Sequence, residues 1–116
     1  MQKVGLTDYR RAHAKTLVVG AIEDGLDRCV PDSGRIATIY FLEKKSLLRF
    51  SQIAEDPERF VSLMGDVFGI GASVLLDAIV AELESIKPEN REEKRCVASF
   101  AQVLQEGSRS IEACIL

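Results

Sequence analysis

Phe50-Ser51-Gln52-Ile53-Ala54-Glu55-Asp56-Pro57-Glu58-Arg59-Phe60, then Phe68-Gly69-Ile70-Gly71-Ala72 and an apolar run to Glu84, is the stretch that decides how this chain folds. Asp56 can cap a helix whose first residue is Pro57, a position where the missing amide hydrogen would be unpaired in any case. Phe60, Leu63, Met64, Val67 and Phe68 recur at spacings of three and four and predict one buried stripe over residues 57–68. Gly69 can take the left-handed conformation that ends a helix, and Gly71 stands at the next start. The segment therefore reads as two helices meeting at a glycine corner. The second of them, over about residues 71–85, carries Val74, Leu75, Ala78, Ile79, Ala81 and Leu83, with Leu76 and Val80 beside them. It is apolar on most sides, so it belongs at the centre of a fold or at an oligomer interface. Asp77, Glu82 and Glu84 mark its expected solvent side.

Toward the N-terminus, residues 51–53 read as a short helical turn carrying Ile53. A helix over 34–45 is expected to bury Ile36, Ile39, Tyr40 and either Leu42 or Phe41. Residues 36–41 have high strand propensity, but the apolar set continues at helical spacing to Leu47. Pro31-Asp32-Ser33-Gly34 breaks the chain, and Asp32 or Ser33 can start that helix. The first helix is predicted over about 9–29, capped by Asp8 or Thr7, with Ala14, Leu17, Val18, Ala21, Ile22, Gly25, Leu26 and Cys29 on one face. Gly20 and Gly25 each weaken it by roughly 1 kcal/mol relative to alanine; they either admit a close neighbour or are neutral surface positions.

Toward the C-terminus, Lys87-Pro88 is a break. A fifth helix is expected from Pro88 or Glu89 to about Gln105, with Val97, Phe100, Ala101 and Leu104 buried and Cys96 and Val103 nearby. Glu106-Gly107-Ser108 reads as its stop, and residues 110–116 as a further short helix or a tail.

The chain has 116 residues, 47% of them apolar and 28% charged, which fits one soluble domain with a core that needs no staples. Its net charge of −3 argues against a general binder of phosphate backbones. Trp is absent, so platforms for stacking bases are not evident. Cys29, Cys96 and Cys114 lie far apart, without the spacing of a metal or redox motif, and read as reduced thiols in a cytoplasmic protein. Charged residues interrupt positions 1–16, so no signal peptide is expected there. The longest uncharged run, 67–76, is too short to span a bilayer. Ala113-Cys114-Ile115-Leu116 fails as a prenylation box because its cysteine is third from the end.

No residue is assigned a catalytic, cofactor-binding or metal-ligating role. Gly69-Ile70-Gly71-Ala72-Ser73 precedes a helix, where free amides attract anions, but it lacks the third glycine of a dinucleotide loop and the Gly-Lys-Ser/Thr of a P-loop. A tight corner is the simpler reading. His13 is the only histidine; beside Arg10, Arg11 and Lys15 it is expected on a solvated face, and one histidine excludes a multi-histidine metal site within the chain. Asp24, Asp27 and Asp32 lack the spacing of a calcium loop. Ser33, Ser46, Ser51, Ser73 and Ser99 have no identifiable base. The charge run of residues 89–95 is expected to form exposed first turns of the fifth helix, with Arg91 and Arg95 on one side. A helix-turn-helix over 34–68 would present Glu58, Arg59, Ser62, Gly65 and Asp66, and one basic side chain reads base edges poorly.

Residues 39–83 resemble the archaeal output domain named after Nitrosopumilus, type five. The likeness rests on Leu47-Leu48, Phe50-Ser51-Gln52-Ile53, Asp56-Pro57-Glu58-Arg59-Phe60, Val67-Phe68-Gly69-Ile70-Gly71-Ala72 and Ile79-Val80-Ala81-Glu82-Leu83. It implies an all-helical module, found alone or joined to signalling domains, with no assigned reaction and no catalytic residues. Together these readings predict an all-α single domain, 1–116, of about five helices packed around the fourth. The expected function is a non-enzymatic regulatory or protein-interaction module that self-associates through apolar helical surface. A nucleic-acid-binding regulator and a domain binding a small apolar ligand are the alternatives. No cofactor and no membrane are expected.

Overall fold

The computed structural model describes residues 4–30 and 34–113. In chain order they form α1 (Val4–Cys29), α2 (Gly34–Ser46), a single turn α3 (Phe50–Ile53), α4 (Pro57–Phe68), a 3₁₀ turn (Gly69–Gly71), α5 (Ala72–Ser85) and α6 (Arg91–Ala113). No strand occurs among the described residues, so the chain is an all-α bundle of five longer helices and one single turn. The strand-prone residues 36–41 lie inside α2, where burial of Thr38 and Leu42 decides the conformation.

α5 lies against both α1 and α6, and these are the two most extensive helix pairs in the molecule. Its Leu75, Leu76, Ile79, Val80 and Leu83 are all buried. Against them stand Val18, Ile22 and Leu26 of α1 and Val97, Phe100 and Leu104 of α6, in one continuous core. α4 packs on α6 and supplies Phe60, Leu63 and Met64; α2 lies outside, against α4 and α1. Fully burying one such side chain stabilises the fold by roughly 1.5–3 kcal/mol.

The glycine corner forms as expected. Asp56 accepts the Arg59 amide at 3.2 Å, Pro57 opens α4, and Gly69 closes it at φ 58°. Residues 57–85 together are apolar and long enough to cross a membrane by length and composition alone. Here Gly69–Gly71 divides them into two helices whose stripes enter the core.

Two glycines explain how closely helices approach. A Cβ on Gly25 would lie 2.7 Å from Ile79 Cγ1 and 2.8 Å from Ile79 Cα, so α1 meets α5 with backbone nearly in contact. Gly20 has nothing within 4 Å and is a neutral position.

Four local expectations are corrected. α1 begins at Val4, so Thr7 and Asp8 lie within its backbone rather than capping it; once a helix is nucleated, each added residue gains a bond, and no proline stops it. α6 begins at Arg91, because Asn90 Oδ1 takes the Glu93 amide at 2.9 Å. Glu106-Gly107-Ser108 is not a stop: α6 runs on to Ala113, Gly107 sits where a Cβ would meet Val61 Cγ1 at 2.5 Å, and Ser108 is buried. Ser108 Oγ donates to Asp77 Oδ1 at 2.7 Å, tying α6 to α5. In α2, Ile36 and Tyr40 point outward instead of inward, and of Leu42 and Phe41 it is Leu42 that is buried. The expectations for Asp32, Ser33 and Cys114 fall outside the described residues.

Candidate functional site

Two places hold side chains that the core does not explain: a polar cluster joining α1 to the start of α6, and the outer face of α2.

The cluster begins with Glu93, which is 2% exposed in the middle of a charged run. Asn90 caps α6, and Glu93 Oε1 reaches back to accept the Glu89 amide at 3.1 Å. This is a capping box displaced by one residue, and it satisfies two amides that the helix cannot. The other carboxylate oxygen, Oε2, pairs with Nδ1 of His13, eighty positions earlier on α1. His13 is therefore one-third exposed and clamped rather than solvated. The bond to Glu93 holds the His13 pKa above its ordinary 6.5, with burial opposing it and the charges of Glu93 and Glu89 adding to it. Glu93 is held below its ordinary 4.5, first by His13 and then by the Glu89 amide.

His13, Glu89 and Glu93 offer ligand atoms within 4.8 Å of one another, a spacing that a metal ion could bridge. Glu93 already uses one oxygen for the Glu89 backbone amide and the other for His13, so it acts as a cap on α6 and a clamp to α1. The cluster is hidden in the sequence because Glu93 looks like one of the six charges in residues 89–95. The spacing of Asn90 to Glu93, a capping residue followed three positions later by glutamate, was the available signal.

The remaining candidates are dispersed or spent on backbone. Ser46 Oγ donates to the Leu42 carbonyl and accepts the Leu48 amide, and Ser73 Oγ donates to the Ile70 carbonyl. Asp27 pairs with Arg35 at 3.4 Å, and Asp24 is exposed. Glu82, expected in solvent, is 15% exposed and meets Arg28 at 2.7 Å across the α1–α5 seam. Cys29 and Cys96 are free thiols, Cys96 exposed. On α4 the single basic residue, Arg59, lies 3.8 Å from Asp56, with Glu58 and Asp66 exposed on the same helix.

The second place is apolar. Ile36 is 64% exposed, Tyr40 and Phe41 are each 54% exposed, and Leu47 at the end of the helix is 88% exposed. Ile36 and Tyr40 are one turn apart on one face. The Tyr40 and Phe41 rings meet edge to face with centroids 5.7 Å apart, and Lys44 Nζ lies 5.6 Å from the Tyr40 ring centre. Leu47 has φ 61°, the left-handed region that costs a branched side chain roughly 1–2 kcal/mol. No protein-family model, no curated protein and no solved structure matches the chain.

Proposed function

We propose that this chain is a non-enzymatic helical interaction module that associates with a second copy of itself through the outer face of α2. One observation carries the reading. Three large apolar side chains in two turns, Ile36, Tyr40 and Phe41, stand more than half exposed on a single edge helix. Scattered apolar residues on a surface need no explanation, but a contiguous group marks an interaction site.

The charges beside this face are mixed in sign. Its C-terminal end carries Lys44 and Lys45, and Lys45 has no ion-pair partner among the described residues. Its N-terminal end carries Arg35, which is paired with Asp27 of α1 at 3.4 Å. An apolar face of this kind can pair with the same face of a second copy about a two-fold axis. On α4, the pairing of Arg59 with Asp56 weighs for a protein partner over a phosphate backbone. Sedimentation velocity over a micromolar dilution series tests the proposal. The expected species is larger than 12.8 kDa and dissociates on dilution; a species of 12.8 kDa throughout would end it.

A further inference from the structure

We propose that the groove between α1, the α3–α4 corner and α6 binds a free fatty acid: one carboxylate on an apolar chain. This inference is independent of association through α2. The groove has a volume of about 680 Å³, inside the roughly 300–1,000 Å³ range of small-molecule sites. It exists because short side chains stand where three elements converge. Ala14 on α1, Ala54 and Pro57 at the corner and Ser99 on α6 are too small to fill the space, and the buried Phe100 adds an aromatic wall.

Charge is confined to the rim. Lys15 and Arg95 stand there against a single lining carboxylate, Glu55. Lys15 Nζ lies 3.2 Å from Glu55 Oε1 and is answered by it. Arg95 has no ion-pair partner among the described residues and is exposed. The rim thus keeps one uncompensated positive charge on a chain of net charge −3. An apolar wall with one free guanidinium at its edge fits a ligand with an apolar body and one anionic end. A guanidinium takes a carboxylate through two parallel hydrogen bonds, which also fixes the ligand's direction. A neutral hydrocarbon would leave Arg95 unused, and a polyanion would bring more charge than the rim can balance.

Calorimetric titration of the full chain with decanoate, with decanol as the uncharged comparison, tests the assignment. Decanoate is expected to bind saturably at sub-millimolar concentration. Arg95→Gln should weaken decanoate about tenfold, the equivalent of one lost charge-assisted contact, while decanol binding stays unchanged. Ser99→Phe, which fills the groove from an exposed position, should remove binding of both. Absence of saturable decanoate binding, or binding that either variant leaves intact, overturns the proposal.

Discussion

α5 is apolar on most sides and α2 carries apolar side chains on both flanks, yet one buries most of its large apolar residues in the core and the other leaves three of them outside. α5 has neighbours on two flanks, α1 and α6, and Leu75, Leu76, Ile79, Val80 and Leu83 are divided between them. α2 is an edge helix. One flank, Thr38 and Leu42, meets the bundle, while Ile36, Tyr40 and Phe41 face away. The sequence reading placed surplus apolar surface on α5 and inferred self-association from it. The observed burial moves that surplus to α2, because the number of neighbours a helix has is set by topology and not by its own composition. On α5, Val74 is the large apolar residue left exposed, at 62%.

Deletion of matched side chains is the strongest way to break this contrast. Ile79→Ala removes a side chain with no exposure and should cost about 2–5 kcal/mol in urea unfolding. Phe41→Ala on α2 should cost less than about 0.5 kcal/mol under dilute conditions where the chain is monomeric. Equal costs would place the two helices in equivalent environments. A second pair sharpens the α5 side. Gly25→Ala sets a methyl against the Ile79 backbone and should destabilise by about 1–3 kcal/mol, whereas Gly20→Ala meets open space and should stabilise by about 0.5–1 kcal/mol.

Much of this architecture was legible because it is local. The Asp56-Pro57 start, the Gly69 stop and the stripes of α1, α4 and α6 each follow from residues three or four positions apart. What was not legible is long-range. Gly107 looked like a terminator because glycine usually ends helices; in the fold it makes room for Val61. His13 looked solvated because its sequence neighbours are charged; its partner lies eighty residues away. Thr38 gave no apolar signal, yet it is 3% exposed while its neighbours Ile36 and Tyr40 are not buried. A helix greasy on both flanks has no periodicity from which to choose the inward one.

The clamp between α1 and α6 carries a pH signature that the apolar contacts lack. Its histidine has a raised pKa, so that part of the stability is present below 6.5 and fades as pH rises through the folded value. Its glutamate has a lowered pKa, so that part is present above 4.5 and fades as pH falls through the folded value. The contribution should be largest between about pH 4.5 and 6.5. His13→Gln should lower Tm in that window and converge with wild type at alkaline pH. A uniform offset across the range would remove the charge pair from the explanation. A further small stability effect is expected at the end of α2. Leu47→Gly relieves a positive φ and should raise stability by up to about 1 kcal/mol, measured by the denaturation midpoint.

The comparison is tested most directly by sedimentation equilibrium of two charge variants beside the wild type. Tyr40→Glu with Phe41→Glu puts charge on the exposed face of α2, and Val74→Glu puts it on the exposed edge of α5. With helical circular dichroism retained in both, the α2 variant should run at 12.8 kDa, while Val74→Glu should retain the wild-type association. An α2 variant that still associates, or a Val74→Glu chain that alone becomes monomeric, would contradict the assignment of the interface to α2.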